Sequence, residues 1–153
     1  MASRQEIEDL LTRRIITDDE LRQLGQPAVP ILIDIFQHDT NEGRRRMALH
    51  ALGLLGDKQA VEFLIATAEN TDEEDWLRTA AVRSLGYAGR DRAFTYLESA
   101  LDHEDFDFRK SALMALSHSD EPEALPLLEK AQADDDERIS ERAGKLLDER
   151  SEA

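Results

Sequence analysis

Three stretches of the chain spell nearly the same seventeen residues. They are ALHALGLLGDKQAVEFL from Ala48, AVRSLGYAGRDRAFTYL from Ala81 and ALMALSHSDEPEALPLL from Ala112, offset by 33 and then 31 residues. Four columns are identical in all three copies: Ala48, Ala81, Ala112; Leu52, Leu85, Leu116; Ala60, Ala93, Ala124; and Leu64, Leu97, Leu128. Within a copy the spacing is 4, 8, 4. A step of four puts two residues on one helical face. The step of eight holds a breaker: Gly56-Asp57, Gly89-Arg90, or Ser119 to Pro122. Pro122 is expected in the first turn of a helix, where its missing N–H costs nothing. Each copy therefore reads as helix, turn, helix. One such hairpin cannot bury its apolar stripe alone, so a period of this length predicts stacked hairpins.

A partial copy follows at Ala143 and Leu147, and a degenerate one precedes at Ala28 and Leu32. The fold expected is all-α: an α-α superhelix, or solenoid, of about four helical-hairpin repeats with capping helices. We place the repeats at about 17–38, 43–69, 75–102 and 107–132, and the caps at about 4–14 and 136–149, in one domain over 1–153. Ser3 with Glu6, and Thr17 with Glu20, are spaced as capping boxes. Ile139, Ala143, Leu146 and Leu147 form the single apolar stripe of the last helix. A capped array predicts a monomer.

The chain has 153 residues, enough for a substantial core, and a formal charge of −15. That charge repels phosphate backbones, so no nucleic-acid partner is expected. No apolar run approaches a membrane span, and MASRQEIEDLLTRR has no signal-peptide core. With no cysteine there is no disulfide or thiolate metal site. The compartment expected is the cytoplasm.

The copies with their leading residues are NEGRRRMALHALGLLGDKQAVEFL, EDWLRTAAVRSLGYAGRDRAFTYL and DFDFRKSALMALSHSDEPEALPLL. They resemble the short HEAT-like repeats of the phycobilisome-lyase type over roughly residues 25–150. The resemblance implies the solenoid. It leaves function open, because such repeats serve enzymes and scaffolds alike. Leu49-His50 matches only a fragment of the ankyrin pattern, and Trp76 with Leu85-Gly86-Tyr87 has tetratricopeptide letters at the wrong spacing.

Arg45, Arg78 and Arg109 share one column, with Asn41, Glu74 and Asp105 four residues before them. We read them as a structural ladder whose planar guanidinium groups bridge acidic or carbonyl groups of neighbouring units. The run Arg44-Arg45-Arg46 is a local candidate for an anion. The turns between repeats are acidic: HDTNEG, NTDEED, DHEDFD and ADDDER. Carboxylates cap helix N-termini there, and none of these turns matches a calcium loop. They make an acidic rim that fits a basic partner.

The four histidines have no metal-binding spacing, and no nucleophile elbow or phosphate loop occurs. Diiron hydroxylases built on similar repeats carry His-Glu pairs where this chain has Arg46-Met47, Thr79-Ala80 and Lys110-Ser111. No enzyme activity, cofactor or metal is therefore expected. The leading expectation is a protein- or peptide-binding scaffold using the second helices, taken as the inner face. Its candidate contacts are Gln59, Glu62, Arg92, Thr95, Tyr96, Ser99, Glu123 and Lys130, which vary from copy to copy. One alternative is a bilin lyase-like or other cofactor-handling protein, with Trp76, Tyr87 and Tyr96 the aromatics available. Another is an accessory subunit that stabilises a larger assembly.

Overall fold

The computed structural model describes every residue, Met1–Ala153, and contains helices and no strands. The order is α1 (Arg4–Thr12), α2 (Asp18–Arg22), α3 (Val29–His38), α4 (Glu42–Leu55), α5 (Lys58–Glu69), α6 (Asp75–Ser84), α7 (Asp91–Leu101), α8 (Phe106–Ser117), α9 (Ala124–Ala131) and α10 (Glu137–Ser151). Short 3-10 turns lie at Gln26–Ala28 and Leu85–Tyr87. Helices α4, α6, α8 and α10 form a row of first helices. Helices α3, α5, α7 and α9 form a row of second helices, each packed on the first helix that follows it.

The four identical columns explain the stack. Ala48, Ala81, Ala112, Leu52, Leu116, Ala60, Ala124, Leu64, Leu97 and Leu128 are all fully buried, and Leu85 and Ala93 are within 1% of it. They lie in one continuous core that runs the length of the array. Burying a leucine side chain contributes roughly 2 kcal/mol, so each repeat brings its neighbours several such terms. The stripe of α10 closes the far end, with Ile139, Ala143 and Leu146 buried and Leu147 half-buried.

Turn chemistry follows the sequence at most joints. Both expected capping boxes are formed, Ser3 with Glu6 and Thr17 with Glu20. Gly56 ends α4 in the left-handed region at φ 58°, which a glycine adopts without a Cβ clash, and its N–H donates to Leu52 O. Asp57 then caps α5 by accepting from Ala60 N at 2.7 Å.

Two joints differ from expectation. Pro122 lies in the turn before α9 and not in its first turn; the Ala124 and Leu125 amides donate to Glu121 O and Pro122 O across a tight bend. The first helix of the repeat expected over 75–102 stops being α-helical at Ser84. Its last turn tightens to 3-10 where Gly86 meets α8, so that a Cβ there would stand 2.0 Å from Ala115 O. Gly53 approaches α6 in the same manner, 2.2 Å from Ser84 O by the same measure. The closest backbone contacts between repeats thus fall in the first-helix row.

Candidate binding faces

The arginine column serves the joints between repeats. Arg45 donates to Phe36 O at 2.8 Å and to Glu73 at 2.8 Å. Arg78 donates to Ala68 O at 3.0 Å, and Arg109 to His103 O at 3.0 Å and to Asp134 at 3.0 Å. Arg45 and Arg78 therefore tie the end of the preceding second helix to their own first helix, Arg109 ties the turn after α7 to α8, and Arg45 and Arg109 also reach the acidic turn one repeat further on. Arg45 also lies 4.6 Å over the Phe36 ring, and Arg78 4.8 Å over Phe108. The polar residues four positions earlier are not the partners: Asn41 and Asp105 cap α4 and α8, and Glu74 accepts from Trp76 Nε1. The run Arg44-Arg45-Arg46 does not form one anion spot. Arg44 makes two bonds to Asp39, at 2.6 and 2.9 Å, and holds that carboxyl below its usual range. Only Arg46 stays free.

The second-helix face carries a depression of about 540 Å³ lined by Lys58, Glu62, Arg90, Asp91 and Arg92 among others. Gln59, Glu62, Arg92, Thr95, Ser99 and Glu123 are exposed and Lys130 is half-exposed. Arg92 donates to Glu62 at 3.0 Å. Lys130 lies 2.7 Å from Asp102 and 3.7 Å from Glu98. The Thr95 and Ser99 hydroxyls donate back to Asp91 O and Tyr96 O. Tyr96 is a correction: it keeps only 9% of its surface exposed and belongs to the core, so it offers the face little. Burial raises its phenol above the usual value, and the nearby Glu69 charge adds to that.

The first-helix face was missed by sequence reasoning, and its depressions run together. One depression of about 340 Å³ is lined by Met47, His50, Arg83, Tyr87, Met114 and His118 among others. A second, of about 490 Å³, is lined by Phe106, Lys110, Met114, His118, Arg138 and Arg142 among others. They share Met114 and His118 and so run together along the row. Tyr87 stacks on His118, and His50 meets Tyr87 edge-on. His50 Nε2 lies 2.8 Å from Asp18 of α2. A signal exists in the sequence: the partly exposed positions of the first helices and of the turns that end them include Met47, His50, Arg83, Tyr87, Met114 and His118, apolar or basic in an acidic chain.

Charge separates the two faces. The four first helices hold eleven basic and seven acidic residues; α5, α7 and α9 hold three basic and five acidic. Of the three aromatics available to a chromophore, Tyr87 lies in the groove, Trp76 beside it in a neighbouring polar depression, and Tyr96 in the core. No group of His, Asp and Glu side chains is placed to hold a metal ion. No helix is long and apolar enough to cross a membrane.

Residues 68–148 match HEAT repeats, and residues 44–70 match the PBS lyase HEAT-like repeat. The chain is similar in fold to a chain in the complex of CpcE and CpcF of phycocyanin lyase from Nostoc sp. PCC7120. The TM-score is 0.60 at 22% identity, over 84% of this chain and 85% of that one. It is also similar to a designed armadillo repeat protein in complex with the peptide (KR)4, with TM-score 0.52 at 17% identity, over 95% of this chain and 72% of that one. No curated protein matches it in sequence. The expectation that the chain is not an enzyme does not stand, because its repeat over 44–70 is of the PBS lyase type and points to a lyase-related protein. Because the HEAT repeat match spans more than half of its residues and the repeat at 44–70 is of the lyase kind, the chain belongs to the HEAT repeat family, in its phycobilisome-lyase type.

Proposed function

We propose that this chain is a recognition scaffold that docks a protein or peptide along its second-helix face, with a basic segment the best fit. One observation carries the reading. Two of the three cations on α5, α7 and α9 are neutralised by neighbouring carboxylates, Arg92 by Glu62 and Lys130 by Asp102 and Glu98, which leaves only Lys58 unpaired against the remaining acids. Glu69 and Glu129 are left exposed on the same helices, beside the acidic turns. Residual negative charge along a repeat array favours a basic chain and speeds its encounter, and several weak contacts along the array add up through avidity. The armadillo protein of similar fold is solved with (KR)4, a ligand of that chemistry.

The test is fluorescence anisotropy with a labelled (KR)4 peptide. Binding is expected, and Glu98→Lys with Glu129→Lys should weaken it about tenfold or more. Binding that ignores both changes would move the site elsewhere. The PBS lyase match over 44–70 favours a second reading, a role in handling a bilin or supporting a lyase assembly. That reading requires a bilin to change its absorption spectrum when mixed with the protein; an unaltered spectrum at saturating protein would remove it.

A further inference from the structure

We infer that the groove on the first-helix face docks an acidic protein segment carrying apolar side chains. The inference is independent of the second-helix face and concerns a partner of opposite charge.

Each of the four first helices brings to the groove one cation with no carboxylate partner in the chain: Arg46 on α4, Arg83 on α6, Lys110 on α8 and Arg142 on α10. The cations of these helices that do pair are others, among them Arg44, Arg45, Arg78, Arg109 and Arg138. In a chain with 34 acids and 19 basic residues, a row of unpaired cations is against the odds. It arises because the acids of the first helices pair elsewhere or not at all: none of the seven lies within ion-pair distance of these four cations. All four cations line the two merged depressions: Arg46 and Arg83 edge the first, Lys110 and Arg142 the second. Like charges in a row oppose one another when the groove is empty and become favourable contacts when carboxylates enter.

The floor between them is apolar and adaptable. Met47, Tyr87 and Met114 lie half-exposed, and thioether side chains reshape readily around a bound apolar group. Arg138, held by Asp136 and stacked 3.8 Å over Phe106, closes the far end of the row. Adjacent helices pack about 8–10 Å apart, so four of them span about 30 Å. That is the length of about twenty helical residues, and guanidinium groups at such intervals take carboxylates in paired hydrogen bonds.

The experiment uses the full chain and two labelled peptides of about twenty residues. One is helix-forming, with Glu on one face and Leu on the other; its counterpart has Lys in place of Glu. The Glu peptide should bind and the Lys peptide should not. Raising salt from about 0.05 to about 0.5 M should weaken binding about tenfold or more. Arg83→Glu and Arg142→Glu should each weaken it about tenfold with unchanged helicity, and the milder Arg83→Gln about threefold. Glu98→Lys with Glu129→Lys, on the other face, should leave it unchanged. Equal binding of the Lys peptide, indifference to Arg83→Glu, failure of the Glu peptide to bind, or tighter binding of a single-stranded oligonucleotide would each overturn the assignment.

Discussion

The Tyr87 ring lies almost flat on the His118 imidazole, with centroids 5.1 Å apart and planes 15° from parallel. The two residues sit at nearly corresponding places one repeat apart, so this contact joins the end of α6 to α8 across the floor of the groove. His50, whose ring is 5.0 Å from Tyr87, extends the row to α4.

His118 is perturbed by its surroundings in this row. Burial holds its pKa below the ordinary histidine value, the His50 and Arg83 charges lower it further, and Asp18 works in the opposite direction. A base whose pKa is depressed in the folded state binds fewer protons folded than unfolded. Stability is then retained above the ordinary histidine pKa of about 6.5 and declines as pH falls through it toward the folded value. Proton NMR of the imidazoles should show His118 titrating below the ordinary value, and Tyr87→Ala should return it upward. A His118 that titrates normally in the wild-type chain would refute this. Against His118→Asn, the wild-type chain should lose relative stability between about pH 7 and pH 5.

The close approach of first helices gives a prediction about size. A Cβ on Gly86 would meet Ala115 O at 2.0 Å, a backbone atom that cannot step aside. Gly86→Ala should cost about 3 kcal/mol by overpacking. In α10, a Cβ on Gly144 would stand 3.3 Å from the side-chain amide of Gln132, which can swing away. Gly144→Ala should therefore be neutral or add up to about 1 kcal/mol, the helix-propensity difference. Urea denaturation of the two variants checks both signs, and equal effects would show that the first-helix row tolerates separation.

The repeat columns made the fold legible, because an Ala or Leu that recurs at the same phase can serve only a buried seam. Ser3, Thr17 and Gly56 were equally readable, since caps and left-handed turns depend on local chemistry. What distant residues decide was not readable. Tyr96 shares a phase with Ile31, Phe63 and Leu127, apolar in every copy, but its hydroxyl left open whether it faced solvent, and it is buried. The partners of Arg45 and Arg109, Glu73 and Asp134, lie 28 and 25 residues away, in turns whose excess of acids hid which carboxylate would be used. The groove was hidden because its residues come from four helices and share no motif. Only stacking puts Met47, Tyr87 and Met114 side by side.

The arginine column predicts unequal costs. Arg45 and Glu73 are each only 16% exposed and bonded to one another. Removing the arginine leaves a nearly buried carboxylate without its cation. Arg78 finds no acid in the following turn, only Asp75 on its own helix, 90% exposed. Arg45→Ala should cost about 3 kcal/mol and Arg78→Ala about 1.5 kcal/mol, chiefly from the Ala68 carbonyl and the Phe108 ring. Chemical denaturation ranks them. If Glu73→Gln in the Arg45→Ala background restores nothing, the ion pair is not the source of the difference.

Asp136 carries the last prediction. Its carboxylate caps α10 by accepting from Arg138 N at 2.9 Å, and it also receives the Arg138 guanidinium at 2.7 Å. Chiefly through that side-chain bond, its pKa is lowered to about 2. An acid depressed in the folded state contributes stability above its unfolded pKa, and the contribution is lost as pH falls toward the folded value. The window is therefore roughly pH 4 down to pH 2. Asp136→Asn keeps a side-chain oxygen for the cap but gives up the ion pair. It should leave Tm nearly intact in high salt and flatten the acid limb of the stability curve. Asp136→Ala removes the cap as well and should lower Tm at every pH, loosening the helix that closes the array and carries Arg142 to the groove. Thermal scans of the three proteins between about pH 2 and pH 7 decide it: parallel acid limbs would mean that α10 is held by its buried stripe alone.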